Sequence, residues 1–182
     1  MTLDHAEKVL NFWFNILTPE DWFKKSEKLD REITDKFKDI HKKAAISELF
    51  EWRTTPKGSL AEIIILDQFS RNIYRNKPQA FSSDPLSLAL AQTAIKKNFD
   101  AALQNNEKAF LYMPFMHSES KLIHKKAVEL YNQPGLENNY NYELKHKEII
   151  DRFNRYPHRN LILNRESTSE ELEFLKQKGT SF

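Results

Sequence analysis

Cysteine is absent from this chain, which excludes disulfides, thiolate chemistry and cysteine-based zinc sites. Glycine is nearly absent. The three present, Gly58, Gly135 and Gly179, are too few and too scattered for a P-loop or a dinucleotide-binding turn, so no cofactor is expected. No segment approaches the roughly 20 apolar residues that span a bilayer. The N-terminal MTLDHAEKVLNFWF lacks a basic stretch followed by an apolar run, so the reading is no membrane and a cytoplasmic location. HExxH spacing is missing, and no metal site is expected. A net charge of +2 is too small for a nucleic-acid surface. No run alternates with period two for long enough to read as a strand, and no repeat of fixed period is visible.

What remains is helical. The 182 residues, 40% hydrophobic and 30% charged, suit one domain with a single substantial core. Asp4 with Glu7 predicts a capping box opening a first helix through Phe12–Trp13–Phe14, and Thr18-Pro19 a short turn presenting Trp22 and Phe23. An amphipathic segment follows from Glu27 to Phe50, carrying Leu29, Ile33, Phe37 and Ile40 at helical spacing. Residues 54–58 read as a loop, with Ser59 and Glu62 capping the next helix, LAEIIILDQFSRN. Asp84-Pro85 opens another, Asn105–Asn106 precede one that Pro114 must end or kink, and Ser118 is placed to cap its successor. The last two run from Asn141 to Asn154 and after the Thr168/Glu171 capping box. The expectation is an all-α fold of about eight helices whose sequential neighbours pack as antiparallel hairpins.

Arginine is used unlike lysine. Six of the eight arginines fall in LDQFSRNIYR (Arg71, Arg75) and RFNRYPHRNLILNR (Arg152, Arg155, Arg159, Arg165), and neither stretch holds a lysine. Guanidinium offers a rigid fork of donors that matches a carboxylate or phosphate, so these stretches point to a cleft that needs the fork. Polar residues also fall on apolar faces. Asp67 and Arg71 form an i,i+4 pair on the helix from Leu60, which is apolar nearly all round and should be central. His146 lies in the stripe of Tyr142, Ile149, Ile150 and Phe153, where a satisfied core histidine is the simpler reading. His117 and Glu119 bracket the expected cap at Ser118, where a helix N-terminus would keep the imidazole neutral. Asp84 reads most simply as an N-cap. Pro157 stops a helix and leaves His158, Arg159 and Asn160 on irregular backbone.

These stretches resemble the DUF924 family, bacterial and some eukaryotic proteins of unassigned function. The resemblance runs from FWF at Phe12 to Phe174–Leu175 and rests on LDQFSRNIYR, AFSSD at 80–84, FLYMPFMHSE at 110–119 and RFNRYPHRNLILNREST at 152–168. It implies a tetratricopeptide-like helical fold, although no tetratricopeptide consensus is recognisable. Asn154 and Asn164 stand where the family pattern has glycine; Asn tolerates the left-handed region, so a helix C-cap at Asn154 survives, whereas close ligand approach at Asn164 becomes harder.

Two functions follow as expectations. In the first, the motif residues converge on a pocket for an anionic small molecule bearing phosphate or carboxylate. Arg71, Asn72, Tyr112, Arg155, Arg159, Asn160 and Arg165 bind it, and His117 and His158 act as acid and base, oriented by Glu119 or Asp67. Hydrolysis or group transfer is the natural chemistry, with no nucleophile identified. In the second, the same set is a buried network in a helical scaffold whose groove holds a peptide or protein partner. Charge pairing separates them. Arg71, Arg152, Arg155, Arg159 and Arg165 outnumber Asp67, Asp84 and Glu119, and clustered arginines without local carboxylates would predict a missing anion.

Overall fold

The computed structural model describes residues 3–177 and 179. Helix α1 (Leu3–Asn11) is already under way at Leu3, so Asp4 lies in its first turn and pairs with Lys8 at 2.9 Å instead of capping. A π-helical turn, Phe12–Ile16, extends it. Helix α2 (Pro19–Phe23) brings Trp22 to donate to the Trp13 carbonyl at 2.8 Å. Helix α3 (Glu27–Ala45) buries Leu29, Ile33, Phe37, Ile40, His41 and Ala44 along one stripe, as its spacing predicts, and ends before the short 3-10 turn Phe50–Thr54.

The next helix starts earlier than expected. Thr55 caps α4 (Pro56–Ile64), its hydroxyl accepting from the Gly58 amide at 3.1 Å, so the expected loop over 54–58 is partly helix. Glycine is required at 58 because a Cβ would stand 2.2 Å from the Trp52 carbonyl oxygen. Glu62 does not cap; it is fully buried and takes both arms of Arg53 at 2.7 Å. The chain continues through a second π-helical turn, Ile65–Phe69, into α5 (Ser70–Ile73). Leu60, Ala61, Ile63, Ile64, Ile65, Leu66 and Phe69 are all 0% exposed, which makes this the central element. It touches α1, α3, α6 (Asp84–Lys96) and α7 (Asn105–Met116), and Phe69 packs on the rings of Phe12, Trp13 and Phe37.

Sequential helices α6, α7, α8 (Lys121–Tyr131) and α9 (Glu137–Phe153) pack pairwise, and α10 (Ser169–Leu175) docks on the segment after Pro157. The fold is all-α, with no strand among the described residues. No helix among them is long and apolar enough to cross a membrane. Pro114 neither ends α7 nor splits it; the helix runs on to Met116. Ser118 caps nothing, because α8 begins at Lys121 after Ser120. Asn154 closes α9 in the left-handed conformation as anticipated (φ 59°), and Asn164 adopts it too (φ 52°). Replacing Asn164 by Ala is therefore expected to cost about 1 kcal/mol and by Gly about half that or less. Urea midpoints of the two variants check this, and equal values would show that the turn relaxes.

Candidate functional site

Asp67 lies inside the π-helical turn, where helices commonly carry functional side chains. Its carboxylate is 1% exposed. One oxygen meets His117 Nδ1 at 2.8 Å and Arg71 at 3.5 Å, and the other accepts from the Gln68 amide. Burial alone would raise this carboxyl, but Arg71 and His117 outweigh it and hold the pKa below the usual range. Arg71 donates to the Asp67 carbonyl at 2.6 Å and grips Asp84 with both arms at 3.0 and 3.1 Å. Asp84 therefore spends its carboxylate on arginine, and no cap bond forms at the start of α6.

Arg159, 6% exposed, reaches the same Asp84 oxygen less closely, at 3.4 Å, and donates to the His117 carbonyl at 3.0 Å. Its guanidinium lies 4.7 Å from the Phe81 ring centre and 4.6 Å from that of Tyr156, while its Nε has no partner. Burial pulls its pKa down, with Arg71 adding to the effect, yet a guanidinium remains charged at neutral pH.

His117 sits at the C-terminal end of α7, not at a helix N-terminus. Its pKa is lowered all the same, by burial first and then by Arg71, against the opposing pull of Asp67. The neutral ring donates from Nδ1 to Asp67, which leaves Nε2 as a free base. The side chain is 16% exposed, Asp84 16% and Arg71 21%, so the dyad and the ion pair share a partly solvated edge. His158 Nδ1 is buried without a partner, and burial, helped by Arg159, lowers this imidazole to about 4.

The other predicted residues are engaged elsewhere. Arg155 holds Glu171 with two arms (2.6 and 2.7 Å), and Arg165 holds Glu119 with two (2.6 and 3.0 Å). Glu119 also accepts from the Tyr156 amide at 2.8 Å, so it orients this turn and makes no bond to His117. Asn160 is buried among Ser167, Glu171 and Arg165. Asn72 joins Arg75 on Asp30 of α3, and Tyr112 is a core residue whose hydroxyl meets Asp100 at 2.8 Å. Arg152 pairs at the surface with Glu170. The expected cationic surplus is thus absent: carboxylates outside the motifs, Glu170 and Glu171, complete the balance.

Glu171 escaped the sequence reading except as a capping residue. It closes the Thr168 box and also binds Arg155 and Asn160, and the Arg155 contact chiefly brings its carboxyl to about 2. The pair His124–Glu143 was missed as well, though the buried faces at 124, 127 and 131 recur at helical spacing. His124 Nε2 faces the Ser118 carbonyl at 2.8 Å, an acceptor only, so that nitrogen carries hydrogen. Its Nδ1 lies 2.6 Å from Glu143, whose carboxyl is raised by burial against the pull of His124. The pair is 0% exposed. A third buried pair, His41 with Ser70 at 2.6 Å, is not an activated nucleophile. Ser70 gives its hydrogen to the Leu66 carbonyl and must accept from His41.

The family model for bacterial proteins of unknown function DUF924 matches residues 9–179. The chain belongs to this family. A solved structure of a protein of unknown function from Agrobacterium tumefaciens is similar at 37% identity and a TM-score of 0.90, covering 97% of this chain and 99% of that one. No curated protein matches. The solved structure shares this fold, and neither description carries an activity.

Proposed function

We propose that Asp67, Arg71, Asp84, His117 and Arg159 form a site for a small anionic molecule, with His117 as its general base. The observation that supports this reading is the Asp67–His117 dyad. A buried carboxylate holds one imidazole nitrogen at 2.8 Å in a side chain that is itself 16% exposed, Arg71 reaches the same carboxylate oxygen, and Arg159 donates to the His117 carbonyl. Neutral imidazole oriented by a carboxylate is the form that takes a proton from water or a substrate hydroxyl, and the adjacent cations suit a phosphate or carboxylate. Arg155, Arg165 and Glu119 then act as supports for the turn that carries His158 and Arg159.

The pairing of Arg152, Arg155 and Arg165 with Glu170, Glu171 and Glu119 favours a second reading. In it the network only fixes helix register in a tetratricopeptide-like scaffold that presents a groove to a peptide. A thermal-shift panel of phosphate, sulfate, phosphorylated sugars and small carboxylates distinguishes them. A binder at 100 times its Kd should stabilise by about 2.7 kcal/mol. His117→Gln, which can still donate to Asp67, should keep this stabilisation but lose hydrolysis of p-nitrophenyl phosphate or acetate. Indifference to every anion, in the wild-type protein and in a variant that frees Arg71 and Arg159 from Asp84, would leave the scaffold reading standing.

A further inference from the structure

Two guanidinium groups, Arg159 buried and Arg71 half-buried, converge on one carboxylate that belongs to the protein itself. Asp84 lies across Arg71 with both oxygens, at 3.0 and 3.1 Å, and shares one of them with Arg159 at 3.4 Å. Arg159 is poorly served by this arrangement. Its side chain is 7% exposed, its one carboxylate contact among the described residues is long and shared, and its Nε has no partner. A desolvated guanidinium with an idle donor is costly unless an acceptor comes to it.

The same short segment that brings Asp84 also brings Phe81. The chain turns at Asn76 (φ 61°), passes through the 3-10 turn Pro78–Ala80, and lays the Phe81 ring 4.7 Å from the Arg159 guanidinium and 5.7 Å from that of Arg71. Phe81 covers the two cations and Asp84 neutralises them. The Asp67–His117 dyad adjoins these cations, joined to Arg71 through the Asp67 carboxylate and to Arg159 through the His117 carbonyl.

We infer that residues 76–84 are a self-ligating plug, in which Asp84 occupies the position of a ligand's carboxylate. The inference rests on the anion-site reading above and names its ligand class: a small carboxylate, which replaces Asp84 on Arg71 and engages the idle Nε of Arg159 as the segment lifts. Asp84 shows that the fork of Arg71 accepts two coplanar oxygens here, the geometry that guanidinium and carboxylate share. It also accounts for the charge balance. An intramolecular carboxylate competes at high effective concentration, so the resting site is neutral and free carboxylates bind it weakly.

The test compares wild-type protein, Asp84→Asn and Phe81→Ala by calorimetry and thermal shift with formate, acetate and phosphate, against chloride at equal ionic strength. Acetate and formate should bind Asp84→Asn at least about tenfold more tightly than wild type. Phe81→Ala, which leaves every ion pair in place, should tighten binding in the same direction and serves if Asp84→Asn does not fold. Phosphate should gain less. Equal affinity of wild type and both variants, with binding lost in Arg71→Lys, overturns the plug while sparing the anion site. Silence of all three proteins to every anion overturns both.

Discussion

Bringing the protein from pH 7 to pH 5 is expected to remove several kcal/mol of stability. Burial is the leading cause, lowering His41 and His158 to about 4, His146 to about 3, and His117 below its ordinary value of 6.5. Unfolding restores the ordinary value, so below pH 6.5 the unfolded chain binds protons that the fold refuses. Stability contributed by these four groups is full above that value and is lost as pH falls through the window from 6.5 toward 4. Glu143 works in the opposite sense: its raised carboxyl keeps a proton in the fold, and its contribution is lost as pH rises from the ordinary 4.5. The three imidazoles lowered to about 3 or 4 by themselves bring the uptake on unfolding toward three protons near pH 5, or roughly 4 kcal/mol per pH unit at most. Domains are typically stable by about 5–15 kcal/mol, so this slope is decisive. Urea titrations between pH 7.5 and 5 measure it, and His41→Gln or His146→Gln should each reduce it by about one proton. A midpoint unchanged over that range would mean these imidazoles are charged within the fold.

Asp67→Ala should be among the most damaging single substitutions, at about 3–5 kcal/mol. The side chain is 1% exposed and serves His117, Gln68 and Arg71 together. Without it, Asp84 is the one carboxylate left for both Arg71 and Arg159 among the described residues, and the His117 Nδ1 hydrogen loses its acceptor. At about 2–4 °C per kcal/mol for a chain of this size, the melting temperature should fall by roughly 6–20 °C. Arg152→Ala is the control: its partner Glu170 is 61% exposed, and breaking such a surface pair should cost about 1 kcal/mol or less. Thermal unfolding of the two variants side by side makes the comparison. A loss below about 1 kcal/mol for Asp67→Ala would show that solvent already screens the cluster.

Legibility of the fold followed the range of the forces involved. Apolar periodicity placed α3 and the central helix, because a face at helical spacing has one way to be buried. Helix starts were harder. Thr55, not Ser59, caps α4, and Asp4 and Ser118 cap nothing, because several hydroxyls and carboxylates compete for each start and neighbours settle which one wins. Thr168 with Glu171 was legible since both halves of the box lie within one turn.

At the site, the amino-acid sequence by itself singled out Asp67, Arg71, His117 and Arg159 and required that charges on an apolar helix find partners. Tertiary structure alone chose those partners: His117 for Asp67, Asp84 for both Arg71 and Arg159, Glu171 for Arg155 and Glu119 for Arg165. Composition measures how much charge a chain carries, but neutralisation operates over a few ångströms between groups up to 75 residues apart in sequence, a distance that only the packing of helices can close.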